Sequence, residues 1–437
     1  MERTTTGLHM TAPGKRALLF IESNTSGTGY LFASAAREMG YSPFLITAQP
    51  HRYLYLSQPD APEVIVVSRV QEDEITDLIR RTFGGGAAVA GITSSSEYFI
   101  VTAAALAARF NLPGPDPQCV QAARDKSRQR EAFTAGRLPN PQFRVARSVA
   151  EAVAASREIG FPVVIKPVDG TGSIGVRACV DPNDVERHAT SLFTHPGDPG
   201  NRVLVESLIT GEEFSVEVFS GRVVGITRKH LGAEPYFVEA GHDYPAQIPR
   251  GVARTLTETV THATALLGLD WGPLHWELRI HRGHAYVMEV NPRLAGGFIP
   301  ELVRQAEGID LIRETLRLVV GEKPELKPDR RRYASIRFLF APREGRLAQV
   351  EGIDEARSQD NVVDVTLYRS IGDELVIAGN FRDRLGHVIA CAGRPEVARI
   401  AAVRARETVR IGVETVCNAG QCKDISSSAP RGIGVAR

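Results

Sequence analysis

The stretch GPLHWELRIHRGHAYVMEVNPRLAGG, residues 272–297, decides the fold that the rest of the chain is built around. Two runs of alternating residues, Pro273–Ile280 and Ala285–Asn291, flank a turn signal at Gly283. Alternation on both sides of a glycine-containing turn predicts a β-hairpin. The apolar residues within both runs indicate that the hairpin belongs to a packed sheet.

The polar residues of this hairpin predict a cation site. Side chains alternate across a strand, so a three-residue loop centred on Gly283 places Glu277 directly opposite Glu289, with Asn291 and Arg293 on the face of Glu289. A two-residue loop would slip that register by one residue. Converging carboxylate and amide oxygens repel each other unless a cation lies between them, and such ligands suit Mg²⁺. The alternative is a solvated sheet face with ordinary charges.

Composition sets the broad class of the protein. A chain of 437 residues with 43% hydrophobic and 24% charged residues predicts a globular protein of about two to four domains. The net charge of +1 favours neither a nucleic acid nor a membrane surface as a partner. Five cysteines without a CxxC pair, and no apolar run of about 20 residues, predict a cytoplasmic protein without membrane spans.

The N-terminal part, after a disordered lead over residues 1–15, predicts a small α/β domain over residues 16–120. Apolar strand runs alternate with helical patterns there, beginning with the strand Arg16–Glu22. The Gly27-Thr28-Gly29 turn lacks the third glycine of a dinucleotide fingerprint, which favours an ordinary strand-to-helix turn. No catalytic constellation is evident in this domain.

A second domain is predicted over residues 121–322. It opens with a helix, Cys119–Gly136, that carries Lys126, and continues to the apolar strand Phe161–Val168, which carries Lys166 in its middle. A charge inside such a run is costly to bury unless it meets an anion, so Lys166 is predicted to be functional. The alternative is a lysine whose ammonium reaches solvent at a strand end.

Gly170, Gly172 and Gly175 satisfy the pattern G-x-G-x-x-G, but their context differs from that of a Rossmann fold. The next segment, Val176–Val180, predicts a strand, and a helix begins only later. Strand, glycine loop and strand form a hairpin, over about residues 168–176, whose backbone amides can fold over phosphates.

The remaining chain predicts a long connection, a linker and a small α+β module. Leu231–Pro249 is predicted to be irregular, and Gly321–Arg332 is a charged, proline-bearing linker. Short strands and a final helix, Pro395–Gly412, predict a C-terminal module over residues 333–417, followed by a disordered tail over 418–437.

The motifs, taken in order, resemble those of the ATP-grasp superfamily of carboxylate–amine ligases. They comprise Lys126, Lys166, the glycine hairpin, VESLITGEEFSVE, HWE and MEVNPR. The C-terminal NFRDRLGHVIACAG run is similar to the terminal domain of L-amino-acid ligases that make dipeptides. The resemblance implies an α/β and α+β chain: an ATP-grasp fold with an N-terminal α/β pre-grasp domain and a small C-terminal α+β module.

The resemblance also implies which residues bind ATP. Lys126 and Lys166 would bind the α- and β-phosphates, and the glycine hairpin would close over the β- and γ-phosphates. Glu206 and Leu208 would form the adenine-binding edge, and Glu213 would accept the ribose hydroxyls. The implied nucleotide set is Lys126, Lys166, Gly170, Thr171, Gly172, Ser173, Gly175, Glu206, Leu208 and Glu213.

For the chemical step, the resemblance implies Glu277, Glu289 and Asn291 as ligands of Mg²⁺, with Mn²⁺ as an alternative. Arg293 and Lys166 would be the catalytic residues, and Arg293 would contact the transferred phosphoryl group and the acyl phosphate. Five fixed donors suit arginine to that charge.

For the substrates, the resemblance implies contacts from Glu239, His242, Arg293, Gly296 and Gly297. Some relatives carry a bulky aromatic residue where this chain has Gly297, which predicts a roomier or displaced pocket here. Solvated loop residues remain the alternative for Glu239 and His242. His275 faces the metal side of its strand and is predicted to be a packing residue behind it.

The predicted function is ATP-dependent ligation of a carboxylate to an amine through an acyl phosphate, with release of ADP and phosphate. A dipeptide or amide of specialised metabolism is the expected product. The alternatives are a purine-pathway ligase, a carboxylase subunit that carboxylates biotin, and a nucleotide-binding sensor without turnover. The expected partners are small-molecule acids and amines, with neither nucleic acid nor membrane, and a homodimer is the state common among relatives.

Overall fold

The computed structural model describes residues 16–25, 27–193 and 202–415. Within these ranges the strands form four sheets, and the lead and tail predicted to be disordered lie outside them. The strands are β1 (Ala17–Ile21), β2 (Ser42–Thr47), β3 (Glu63–Val66), β4 (Val89–Thr93), β5 (Phe143–Ala146), β6 (Val163–Pro167), β7 (Arg177–Cys179), β8 (Val203–Ser207), β9 (Glu212–Phe219), β10 (Arg222–Leu231), β11 (Glu239–Tyr244), β12 (Pro273–His281), β13 (His284–Asn291), β14 (Tyr333–Phe340), β15 (Gly345–Glu351), β16 (Val362–Leu367), β17 (Glu374–Leu375), β18 (Arg384–Ala392) and β19 (Arg410–Glu414).

The helices lie between and against these sheets. They are α1 (Gly27–Glu38), α2 (Glu72–Thr82), α3 (Ile100–Arg109), α4 (Pro117–Arg124), α5 (Lys126–Ala135), α6 (Val149–Ile159), α7 (Pro182–Phe193), α8 (Arg250–Leu267), α9 (Ile299–Glu307), α10 (Leu311–Val319), α11 (Ile353–Arg357) and α12 (Pro395–Thr408). Over the parts of the chain described, none has both the length and the apolar character that a bilayer crossing requires.

The N-terminal sheet has the strand order β3-β2-β1-β4, and all of its strands are parallel. The central strand β1 (ALLFI) is buried along its whole length, as expected of a parallel strand covered on both faces. Crossover helices such as α1 connect its strands, so this sheet is an α/β layer whose strand ends point in one direction.

The second sheet has the order β5-β8-β6-β7 and is antiparallel. Strands β6 and β7 are consecutive and pair with each other, and the glycine loop lies between them. This arrangement is the strand–loop–strand hairpin that the sequence predicted.

The predicted helix Cys119–Gly136 is wrong, because the segment forms two helices that meet at Asp125. This residue ends α4 in an extended conformation, and its carboxylate accepts hydrogen bonds from the first-turn amides of Ser127 and Arg128 in α5. A side-chain oxygen that caps a helix start stabilises the break. The kink places Lys126 in the first turn of α5, where it is buried.

The third sheet has eight strands in the order β13-β12-β9-β10-β11-β14-β18-β16. It joins strands of the predicted ATP-grasp domain, β9 to β13, to strands of the predicted C-terminal module, because β11 pairs with β14. The irregular connection predicted over 231–249 is therefore wrong at Glu239–Tyr244, which forms β11. The fourth sheet, β17-β15-β19, completes the C-terminal module, whose final helix ends at Thr408 before β19.

The two faces of the eight-stranded sheet have different characters. Alternate residues such as Phe214 and Trp276 point into a core against α5 and α8 and are fully buried. The residues between them point to the opposite face, which lines a cavity. Period-two alternation along each strand thus separates the core from the site.

Asp243 in β11 fixes the junction between the two halves of this sheet. Its carboxylate contacts Nε2 of His230 at 2.7 Å and accepts hydrogen bonds from Arg337 at 2.9 Å and from Ser335 at 2.6 Å. Burial alone would raise the pKa of Asp243, but His230 and Arg337 outweigh it and hold the pKa well below its usual value. The charged network therefore ties β10 and β11 to β14.

Candidate active site

The hairpin of β12 and β13 has a shorter loop than the sequence analysis predicted. His281 pairs with His284, and the loop residues Arg282 and Gly283 have φ angles of 50° and 80°. Positive φ at both positions is typical of a two-residue type I′ turn, whose twist matches that of the flanking strands. The predicted three-residue loop is wrong.

A β-bulge restores the register that a two-residue loop would lose. Leu278 pairs with Val287 and Glu277 pairs with Glu289, so Met288 is an extra residue in β13. A bulge lets two residues of one strand oppose one residue of its partner and turns the following side chains to the other face. Glu277 and Glu289 therefore lie opposite each other on one face. The bulge that produces this register was not predicted from the sequence.

Side chains of α5 hold the bulged strand in place. The guanidinium of Arg130 donates to the carbonyls of Val287, at 3.0 Å, and Met288, at 2.6 Å. The amide of Gln129 exchanges two hydrogen bonds with the backbone of Val290, at 3.0 and 3.1 Å. Both side chains are buried, and they satisfy these backbone groups of the edge strand without a further strand.

The three predicted metal ligands lie together at this end of the sheet. The ammonium of Lys126 lies 3.1 Å from Glu289, and the side-chain amide of Asn291 lies 3.1 Å from the same carboxylate. Across the described ranges, no cluster of three His, Cys, Asp or Glu side chains is arranged to hold a metal, so the set depends on the Asn291 amide as its third donor. Two carboxylates and an amide are donors that fit Mg²⁺.

His275 lies behind the metal side of β12, as predicted, but it lies there as a cation. Its ring nitrogens contact Glu217 at 2.9 Å and Glu277 at 3.1 Å. Burial alone would lower the pKa of this imidazole, but the two carboxylates outweigh burial and raise the pKa to about 9. His275 therefore supplies positive charge that fixes Glu277.

Lys229 is the centre of the carboxylate face, and the sequence analysis missed it. Its side chain is 2% exposed, and its ammonium lies 2.9 Å from Glu213, 2.8 Å from Glu239 and 2.9 Å from Glu277. Burial disfavours the charged form, but the three carboxylates outweigh it and raise the pKa of Lys229 well above its ordinary value. One lysine thus bridges residues predicted to bind the ribose, the substrate and the metal.

Glu97, at the carboxyl end of β4, is a second residue that the sequence analysis missed. It is buried and forms ion pairs with Arg293 and Arg124, and it accepts a hydrogen bond from Thr171 of the glycine hairpin. Burial would raise its pKa, but the charges of Arg293, Arg124 and Lys126 lower the pKa to about 2. The N-terminal domain therefore orients the predicted catalytic arginine.

Lys166 and Glu206 form a buried ion pair on adjacent strands of the second sheet, 2.8 Å apart. The other oxygen of Glu206 accepts from Arg130 at 2.5 Å. Lys166 is thus paired with an anion, whereas the alternative interpretation had its ammonium in solvent. The amide of Leu208, predicted to contact adenine, donates to the carbonyl of Pro162 at 3.2 Å.

The glycine hairpin is held by contacts on both sides. Lys126 donates to the carbonyl of Gly170 at 2.5 Å, and the Ser173 hydroxyl donates to the carbonyl of Phe237 at 3.3 Å. Gly172 has a φ of 62°, and a Cβ there would lie 2.6 Å from the Phe381 ring of the C-terminal module. Only glycine fits this close approach without strain.

Of the predicted substrate residues, His242 is buried and Glu239 is half-buried, and both belong to β11, so the solvated-loop alternative for these two residues is wrong. Arg293, Gly296 and Gly297 lie in the loop after β13. Glu239 pairs with Lys229 and with Arg384 of the C-terminal module. Gly297 has a φ of 58°, and a Cβ there would lie 2.5 Å from Nε2 of His242. His242 therefore occupies the space that a side chain at position 297 would need. Neither ring nitrogen of His242 has a hydrogen-bond partner, and burial lowers its pKa to about 3.

These groups surround a cavity of about 1700 Å³ between the N-terminal domain, both halves of the central domain and the C-terminal module. Most of the predicted site residues line it: Lys166, Thr171, Gly172, Ser173, Glu206, Leu208, Glu213, Glu239, Glu277, Glu289, Asn291, Arg293, Gly296 and Gly297. Four others lie behind that lining, where they contact its residues or share its loops: Lys126, Gly170, Gly175 and His242.

Signals for the missed residues exist in the sequence but need the fold to be interpreted. Glu97 follows a parallel strand, and ligands of open α/β sheets bind beyond the carboxyl ends of strands. Lys229 is directly paired with Glu213, which only the β9–β10 register reveals. The contact of Arg130 with β13 can be recognised only when the helix break at Asp125, and hence the direction of α5, is known.

Two parts of the chain, one central and one C-terminal, match known families. Residues 159–301 match the ATP-grasp domain, and residues 337–414 match the L-amino acid ligase C-terminal domain 2. An uncharacterised protein of Sinorhizobium fredii, y4rH, is 35% identical over 399 residues, which are 90% of this chain and 82% of that protein. The chain belongs to the ATP-grasp carboxylate–amine ligases. This ligase is also 26% identical over 314 residues to carnosine synthase 1 of Gallus gallus, covering 67% of the ligase but 34% of that protein.

Among solved structures, the ligase resembles the L-amino acid ligase from Bacillus licheniformis. The TM-score is 0.78 at 20% sequence identity, and the match covers 93% of this chain and 100% of that chain. Phosphoribosylglycinamide synthetase from Anaerococcus prevotii has a TM-score of 0.67 at 18% identity, covering 92% of this chain and 100% of that one. These likenesses establish the ATP-grasp fold of the ligase.

Proposed function

We propose that this ligase activates the carboxylate of an amino acid or another small acid with ATP and joins it to an amine. An acyl phosphate would be the intermediate, and the products would be an amide or dipeptide, ADP and phosphate. The observation that carries this proposal is a single sheet face on which Lys229 links the metal-side Glu277 to Glu239 at 2.9 and 2.8 Å. The predicted substrate subsite thus adjoins the predicted phosphoryl-transfer site.

The nucleotide end of the cavity supplies positive charge where phosphates would lie. Lys126 and Lys166 would offset the charge of the nucleotide, and Arg293 would bind the transferred phosphoryl group. A Mg²⁺ ion, or Mn²⁺, held by Glu277, Glu289 and Asn291 would add positive charge next to the phosphates.

The glycine hairpin would keep water from the activated acid. It contacts Glu97 of the N-terminal domain through Thr171 and Phe381 of the C-terminal module at Gly172. An acyl phosphate hydrolyses if water reaches it, so a loop closed from both sides protects the intermediate. The backbone amides of Gly170–Gly175 would meet the phosphates.

The substrate end has the charges that an amino acid would need. Glu239 can accept hydrogen bonds from an ammonium group, and Arg384, paired with it, is suited to a carboxylate. Gly296 leaves open space beside Arg293, since a Cβ there would meet no atom within 4 Å, whereas His242 fills the space beside Gly297. A pocket with both signs of charge and an open wall fits a zwitterionic substrate of moderate size.

The test is a screen of amino acids and other carboxylic acids against amines, with phosphate release and product mass as readouts. The wild-type ligase should release ADP and phosphate only when acid and amine are both present, and the mass should equal acid plus amine minus water. Lys166→Ala and Glu289→Ala should abolish this turnover. The exposed residues Lys327 and Glu355 provide matched controls, and their alanine variants should retain it.

Other outcomes would identify the alternatives. Turnover that requires bicarbonate and biotin, or an aminated ribonucleotide, would replace the proposed substrates by those of a carboxylase or a purine-pathway ligase. ATP binding without any turnover across the whole screen would point to a sensor. Full activity of Glu289→Ala would contradict the site itself.

A further inference from the structure

The C-terminal module contributes a polar cluster to the cavity that the proposed function does not yet use. In β18, Arg384 pairs with Phe340 and His387 pairs with Phe338, so Leu385 is an extra residue. This bulge turns Arg384 and His387 to the same face of the sheet, the face that lines the cavity. His387 is therefore brought beside the substrate subsite.

Hydrogen bonds fix the orientation of this imidazole. Its Nε2 lies 2.7 Å from a carboxylate oxygen of Asp364, and its Nδ1 lies 2.6 Å from the hydroxyl of Tyr368. A carboxylate only accepts, so Nε2 carries the proton and Nδ1 accepts the hydroxyl proton of Tyr368. The lone pairs of the Tyr368 oxygen are left available to the cavity, which this side chain lines.

The cluster adjoins the predicted substrate residues. Arg384, three residues before His387, pairs with Glu239 and stacks on Phe338 with 3.8 Å between guanidinium and ring centroid. Phe298, which follows Gly297, packs on His387 with ring centroids 4.2 Å apart. The cluster is thus in contact with both sides of the subsite.

The other titratable groups near this subsite are poor proton acceptors. Burial would raise the pKa of Glu239, but Lys229 and Arg384 hold it well below its usual value. Both ring nitrogens of His275 are already engaged, by Glu217 at 2.9 Å and by Glu277 at 3.1 Å. Burial lowers the pKa of His242 to about 3, so it resists protonation.

His387 has a carboxylate on one side of its ring and a cavity-lining hydroxyl on the other. Asp364 lies directly behind the imidazole and can stabilise an imidazolium, as a carboxylate does behind a catalytic histidine. The cations around the cluster are Arg384, which acts on Tyr368, and Arg357, which acts on Asp364. Each lies next to a partner of the imidazole.

We propose that Tyr368 and His387 take up the proton that the incoming amine must lose before it attacks the acyl phosphate. This inference rests on the proposed ligase function. The ammonium substrate passes one proton to the Tyr368 oxygen, whose own proton moves to Nδ1 of His387. The neutral amine then attacks the acyl carbon, the C–N bond forms, and the C–O bond to phosphate breaks with its electron pair. The second nitrogen proton leaves with phosphate, and His387 later returns its proton to solvent.

The test compares a nucleophile that needs a base with one that does not. Hydroxylamine is uncharged near neutral pH and forms a hydroxamate with an acyl phosphate, whereas an amino acid ester arrives as an ammonium. In Tyr368→Phe, single-turnover amide formation with the ammonium nucleophile should fall by roughly 10²-fold at pH 7. Hydroxamate formation should stay within about twofold, because general-base catalysis is what the variant loses.

Two further measurements separate proton transfer from structure. The rate deficit of Tyr368→Phe should shrink as the pH rises and more of the amine is neutral, and Asp364→Asn should show the same trend. Tyr333→Phe, at the start of β14 and outside the cavity lining, is the matched control and should behave as the wild type.

The outcomes distinguish this inference from the proposed function. If the wild type makes amide and hydroxamate and Tyr368→Phe makes both at wild-type rates, the proton goes elsewhere, for example to the phosphate, and the inference is overturned. An equal loss with both nucleophiles would also overturn it, because that indicates a structural role. If the wild type forms neither product with any acid, the proposed function itself has failed.

Discussion

Replacing Lys229 by methionine tests the most heavily charged contact in the cavity. The substitution retains the unbranched shape of the side chain but removes the ammonium that lies within 2.9 Å of three carboxylates. These carboxylates belong to Glu213, Glu239 and Glu277. Without the lysine, these largely buried carboxylates remain together on one sheet face and repel each other.

The magnitude follows from the partners that remain. Breaking a buried ion pair by removing one partner costs about 3–5 kcal/mol, because a buried charge is left uncompensated. Each of the three carboxylates retains another cation: Arg279 for Glu213, Arg384 for Glu239 and protonated His275 for Glu277. These secondary partners favour the lower end of the range, so we expect the free energy of unfolding to fall by about 3 kcal/mol.

Urea unfolding monitored by tryptophan fluorescence measures this change, because Trp276 is buried in the core under the same sheet. With a denaturant slope of about 3 kcal/mol per M, the midpoint should fall by about 1 M. Lys229→Arg should recover part of the loss, and Lys323→Met, at an exposed position, should lose nothing. A midpoint for Lys229→Met within about 0.2 M of the wild type would refute the idea that this lysine holds the face together.

Three further substitutions test neighbouring features. Glu97→Gln removes the anion that orients Arg293 and should lower kcat for ADP release at least about tenfold, or 1.4 kcal/mol in the barrier, while a kcat equal to wild type would argue against that role. Gly297→Ala should lower the free energy of unfolding by about 1–2 kcal/mol from its left-handed backbone alone. It should cost more than that because of the clash with His242, so the added cost should vanish in a His242→Ala background, as a double-mutant cycle by urea unfolding can measure. Asp243→Asn should destabilise the fold by about 2 kcal/mol at pH 7. Because the folded pKa of Asp243 lies below the unfolded value, this difference should be complete above pH of about 4 and shrink as the pH falls further; a difference that is constant with pH would contradict the charged network.

The broad architecture could be predicted from the sequence because the patterns that determine it lie within short segments. Alternation in the hairpin, the apolar run around Lys166 and the glycine loop each specify a short segment, and each segment has the predicted type of structure. Residues matched through the resemblance, such as Glu277 and Glu289, lie around one cavity because their strands are neighbours in the eight-stranded sheet.

The errors arose where long-range contacts decide the structure. The bulge at Met288 depends on Arg130 and Gln129 from a distant helix, so no pattern within the hairpin reveals it. Strand β11 lies in a segment rich in glycine and proline, and it is extended because β10 and β14 flank it.

The missed site residues follow the same logic. Lys229 and Glu97 belong to no recognisable motif in their own segments. Their role in the site comes from the oppositely charged side chains that surround them in the fold. Spacing along one segment cannot report which opposite charges meet across strands or between domains.

The pairing of β11 with β14 has a consequence for protein engineering. A chimaera joined in the linker at residues 321–332 would combine β11 of one parent with β14 of the other. If these two strands do not pair, each exposes an edge of unpaired backbone groups, which promotes aggregation. Exchange of the C-terminal part between related enzymes would therefore succeed only if β11 and β14 come from the same parent. The ion pair of Glu239 and Arg384 must then also come from that parent.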